Sequence, residues 1–193
     1  MVKRYNLKML ALVVSLAGIL FVQEEVLTFI PNFQFTFLLI ACYGATMGIK
    51  YGLPIIGIHV ILDNIVMGSF NFAIMIPQAI GLTITLIFGY LFRNKNEYIV
   101  ASSIALTALL YCYIYIPFNL CFFNIDFIPY IIADIPYEII LVVTSFITVL
   151  FLYKPIVKTI NKLMVNMFNR EPINNIPYEI ENIEGIEKEN ENS

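Results

Sequence analysis

The chain has 193 residues, of which 60% are apolar, and a mean hydropathy of +0.82. Water-soluble domains hold an apolar share of roughly half, so this composition excludes one and points to the lipid bilayer. The formal net charge of −3 arises in a C-terminal tail that carries half of the 14 acidic residues, and no basic patch for nucleic acid is present.

The first apolar segment covers residues 9–22 and follows Lys3, Arg4 and Lys8. It imitates a signal peptide, but no small-x-small cleavage site precedes Gln23-Glu24-Glu25, so a retained helix is expected. That helix either stops there or continues toward Ile30, with Glu24 and Glu25 facing protein or water. Further segments cover residues 33–48, 53–68, 72–92, 98–118 and 135–153. Lys50 lies between the second and third, Arg93 and Lys95 between the fourth and fifth, and Lys154, Lys158, Lys162 and Arg170 after the sixth. The remaining connections hold Glu24, Glu25, Asp126 and Asp134 and no basic residue. Because positive charge marks the cytoplasmic side, this alternation predicts an all-α integral membrane protein, a six-helix bundle with both ends in the cytoplasm.

A helix needs about 17–25 residues to cross the hydrocarbon core. The last three segments meet this, and the first three are marginal, spanning only if neighbouring helices shield their ends or the local bilayer thins. Most prolines, among them Pro31, Pro54, Pro117, Pro129, Pro136 and Pro155, fall near segment ends, where the missing N–H costs least. Pro77 lies about one turn inside the fourth. The outward connection 119–134 interleaves Phe122, Phe123, Phe127 and Tyr130 with Asn124 and Asp126, and reads as a cap folded over the helix ends. Residues 1–168 form one membrane domain. Residues 169–193, rich in Asn, Glu and Ile, cannot build a core and read as a disordered cytoplasmic tail.

Small residues recur at helix-packing spacing in Ala11-x-x-x-Ser15, Gly44-x-x-x-Gly48 and Gly81-x-x-x-Thr85-x-x-x-Gly89. Cys42 and Cys112 lie inside apolar segments and read as packing residues; Cys121 lies in an outward connection and reads as a free thiol. Polar side chains collect toward the outer side of the bundle. His59 and Asp63 share one helix face, and an ionisable group near the midplane costs about 2.5–3.5 kcal/mol unless it faces the bundle interior or water. They either satisfy one another in the core or join an outward-opening pocket. Asn64, Asn71, Gln78, Asn119 and Glu138 lie at similar depth, with Phe123 and Tyr130 as aromatic walls. The third to sixth helices are expected to enclose this pocket, and the connections at Phe72 and 119–134 to close it.

Enzyme chemistry finds no support. There is no G-x-S-x motif for a serine protease and no Walker motif. One His and three scattered Cys offer no tetrahedral metal site. Glu24-Glu25 is similar to the glutamate pair of prenyl-endopeptidase-like membrane proteases, but Phe29 stands where those need Arg, and His59 is the sole His. No cofactor is expected. A small ion- or proton-coupled carrier or channel built on His59 and Asp63 is the alternative to a binding subunit.

Ile30-Pro31-Asn32-Phe33-Gln34 resembles the I-P-N-x-Q stretch of the substrate-binding S components of energy-coupling factor (ECF) transporters. The stretch from Ile132 through Asp134, Pro136 and Glu138 to Ile140, followed by Leu152-Tyr153-Lys154-Pro155, resembles their last helix. The resemblance covers about residues 5–165. It implies a multi-pass protein of the prokaryotic cell membrane that captures a vitamin or related micronutrient from outside. Such a subunit works with a transmembrane T component and two cytoplasmic ATPases, which supply the ATP hydrolysis that this chain lacks. It further implies that Gln34 belongs to the binding site and that Ala11 and Ser15 contact the T component, with Ser15 where the family has Ala. Many relatives carry a His where this chain has Leu141.

Overall fold

The computed structural model describes residues 2–30, 33–66, 68, 70–123 and 126–168, with side chains from Leu7 onward. Six helices follow in order: α1 (Val2–Leu27), α2 (Thr36–Met47), α3 (Ile49–Val66), α4 (Phe72–Leu91), α5 (Glu97–Phe123) and α6 (Phe127–Phe168). No strand occurs among the described residues. Five helices are long and apolar enough to cross a membrane; α2, with 12 residues, is the exception. At 1.5 Å per residue α2 rises only about 18 Å. It survives as a short helix because it is the axis of the bundle. Eleven of its residues are buried, among them Phe37, Ile40, Ala41 and Tyr43, and all five other helices touch it.

The α2–α4 crossing is closed by two glycines. A Cβ on Gly44 would lie 2.3 Å from the Leu86 carbonyl oxygen, and one on Gly89 would lie 2.5 Å from the Ala41 carbonyl oxygen. The backbones therefore touch, which is how helices gain dispersion energy when lipid supplies no hydrophobic contrast. Gly81 makes room for the Tyr111 ring, and Gly52 for the Leu86 side chain. Gly48 has a different task. Its φ of +72° lets one residue turn α2 into α3. Ala11 and Ser15 are exposed, on the side of α1 opposite Leu12, Val13, Leu16 and Leu20. That buried side packs mainly on α3.

Several boundaries differ from the hydropathy reading: α2 is shorter than its apolar segment at both ends, whereas α1, α5 and α6 outrun their most apolar stretch. α1 runs to Leu27, so Glu24 and Glu25 are helical rather than part of a connection. The connection 119–134 is almost entirely helix, since α5 ends at Phe123 and α6 starts at Phe127. Among the described residues no long capping loop is found there. α6 continues to Phe168 because Val157, Ile160 and Met164 keep one side buried while Lys158 and Lys162 stay exposed. The extension leaves Pro54, Pro117, Pro136 and Pro155 inside helices rather than at their ends, with Pro77 inside α4 as expected. In a membrane bundle, neighbouring helices can satisfy the carbonyls such prolines free. Residues 169–193, the acidic tail, lie outside the described residues, as do Pro31 and Asn124.

Glu97 at the start of α5 pairs with Lys154 on α6, and the Arg93 guanidinium stacks 4.2 Å from the Tyr90 ring. Cys42 and Cys112 are buried and Cys121, near the far end of α5, is exposed. An impermeant maleimide applied to intact cells should therefore label Cys121. Lys95→Cys in a Cys121→Ser background should react only after permeabilisation, as the charge alternation requires. Labelling of Lys95→Cys in intact cells would invert the topology.

Candidate functional site

A cavity of about 390 Å³ opens among the end of α1, Thr28, Ile30, Phe33 and Gln34, the end of α3, the start of α4, the far half of α5 and the first part of α6. This is the end of the bundle away from Lys50, Arg93 and Lys95. The volume lies within the roughly 300–1,000 Å³ of small-molecule sites.

The α1 side is built by Gln23. Its amide donates to the Leu20 carbonyl (2.9 Å) and the Thr36 hydroxyl (2.8 Å), and its oxygen accepts from the Phe35 N–H (2.9 Å). One side chain thus fastens the end of α1 to the start of α2 and places Glu24 against the cavity. Glu24 Oε2 accepts from the Thr36 hydroxyl at 3.1 Å and lies 3.2 Å from His59 Nε2. The His59 ring is fully buried behind the cavity wall, and its two nitrogens make no hydrogen bond of good geometry. The short His59–Glu24 contact is therefore electrostatic proximity rather than an aligned bond.

Four residues further along α3, Asp63 faces the cavity. Asn64 Nδ2 donates to both the Val60 carbonyl and Gln78 Oε1, each at 2.8 Å, and Gln78 Nε2 donates to Asp63 Oδ2 at 2.6 Å. The relay fixes the orientation of all three side chains, since each amide has its oxygen or nitrogen claimed. It occupies one oxygen of Asp63 and leaves Oδ1 buried without a partner. Tyr111 and Tyr115, one turn apart on α5, share a 3.1 Å hydroxyl contact and form an aromatic wall, backed by Phe37 edge-on to Tyr111. Tyr130 and Asp134 enter from α6, and the Asn119 amide holds the Tyr130 hydroxyl at 2.7 Å.

Of the residues singled out from sequence, Gln34, Asp63, Asn64, Gln78 and Tyr130 line the cavity. His59 touches it through Glu24, and Asn119 through Tyr130. The others lie apart. Asn71 caps α4, accepting from the Ala73 N–H at 2.9 Å. Phe123 is exposed at the end of α5. Glu138 borders a shallow outer groove with Leu109, Ile139 and Val143. His59 and Asp63, paired by spacing, each turn to a different partner. Sequence reasoning missed Glu24, Tyr111 and Tyr115, and counted Asp134 only as an outer polar residue. The i, i+4 spacing of the tyrosines was the available signal. The wall also includes the first helix, absent from the expected enclosure of helices three to six. Asn71→Ala should cost about 1 kcal/mol of stability through the lost cap, read as a lower thermal midpoint, with ligand affinity unchanged.

Compared with known protein families, with curated proteins and with solved structures, the chain matches none.

Proposed function

We propose that this chain is the substrate-binding subunit of an ATP-driven, ECF-type importer in a prokaryotic cell membrane. It captures a vitamin-sized molecule from outside and releases it inward once docked to a T component and two ATPases. The observation that carries the reading is the cavity itself: mostly apolar with a few placed polar groups, sized for a small molecule and at the end whose connections lack positive charge. Ile40, Ile55, Leu82, Leu86 and Ile104, all fully buried, fill the core away from it. This favours a capture site over the continuous polar path that a His59/Asp63 carrier or channel needs. Co-purification of the tagged chain with a T component and ATPases, and uptake that stops when ATP hydrolysis is blocked, are the expected results. Uptake by the chain alone, driven by a proton gradient, would favour the carrier.

A further inference from the structure

We propose that the cavity selects an organic cation: a protonated amine, amidine or guanidine carried on a flat, partly apolar frame. The inference rests on the capture reading above and names the class of ligand. The first observation is charge. Glu24, Asp63 and Asp134 line the cavity, and no Lys or Arg among the described residues does. The second is an unmet acceptor. Asp63 is only 6% exposed, its Oδ2 is held by Gln78, and its Oδ1 has no hydrogen-bond partner. A buried oxygen left unpaired is costly, and a ligand N–H supplies what the protein does not.

The third observation is the direction of the surrounding hydrogen bonds. Both N–H groups of the Asn64 amide are spent, one on Val60 and one on Gln78, and one of the Gln78 amide is spent on Asp63. The second Gln78 N–H, the Gln34 amide nitrogen and the Tyr130 hydroxyl keep donors on the wall, but its charged groups among the described residues are all carboxylates, and these acceptors complement a ligand that donates. Tyr111, Tyr115 and Phe33 add ring surfaces, to which a cation is drawn by the ring quadrupole. A bare metal ion fits less well, because no three His, Cys, Asp or Glu side chains among the described residues stand close enough to hold one.

The test uses three nearly isosteric probes, benzamidine (cation), benzamide (neutral) and benzoate (anion), titrated calorimetrically into the full chain in zwitterionic nanodiscs. Wild type should bind benzamidine at least about tenfold more tightly than benzamide, with benzoate weakest. Asp63→Asn, which keeps shape and removes charge, and Glu24→Gln should each shrink that preference to about twofold or less. Equal binding of benzamide or benzoate by wild type, or a cation preference that survives both substitutions, overturns the inference and leaves the capture reading standing. Binding of none of the three by folded protein removes the capture site and the inference together.

Discussion

Ala11→Trp combined with Ser15→Trp should abolish uptake and leave ligand binding by the isolated subunit unchanged. Both residues lie on the exposed side of α1, among Leu7, Leu10, Val14, Ile19 and Val22, all exposed. Gly18 continues the same smooth strip, and a Cβ there would meet nothing within 4 Å. Nothing within the chain is displaced by large side chains at these positions, so the bundle and its cavity should persist. A partner helix docking on this strip would instead be held away by two indoles, losing the close backbone approach that drives association in lipid. The expected reading is uptake at background with an unchanged dissociation constant. Equal loss of binding would mean that the strip supports the fold of the subunit itself.

Gly44→Ala and Gly89→Ala should each destabilise the bundle by about 3 kcal/mol or more, at the upper end of what overpacking costs. The added methyl group meets carbonyl oxygens of the facing backbone, of Leu86 in one case and Ala41 in the other, and neither can rotate away as a side chain would. α2 and α4 must separate, and α2 is the element every other helix touches. Gly57→Ala is the internal control. That glycine faces open space, so the substitution should be neutral or add up to about 1 kcal/mol through better helix propensity. Thermal unfolding in detergent distinguishes the three. A midpoint for Gly89→Ala equal to that of Gly57→Ala would contradict the crossing described for α2 and α4.

The six-helix membrane bundle was legible in the sequence because apolar runs and the Lys/Arg alternation report on solvent, and solvent dictates the fold class here. Helix ends were not legible to the same degree. Hydropathy falls where a helix meets water or a polar cavity, yet the backbone hydrogen bonds continue, as at Glu24 in α1 and at Asp134 in α6. Asp63, Asn64 and Gln78 drew attention because polar groups at membrane depth need partners. What the sequence could not give was the partner of each one. His59 and Asp63 have the spacing of a pair, but Gln23 swings Glu24 against His59, and Gln78 takes Asp63. Asn71 has the same polarity as Asn64 and similar depth, but precedes a helix start, so its oxygen goes to the Ala73 N–H.

The central claim is that the cavity holds a small molecule, and native mass spectrometry of the full chain released from nanodiscs tests it most directly. The wild-type protein should carry one small molecule per chain. Ile74→Trp, which places an indole in the cavity from its α4 wall, should fold and come off empty. A wild-type protein that carries nothing after growth and purification in mild conditions, or an Ile74→Trp protein that retains the same adduct, would contradict the account.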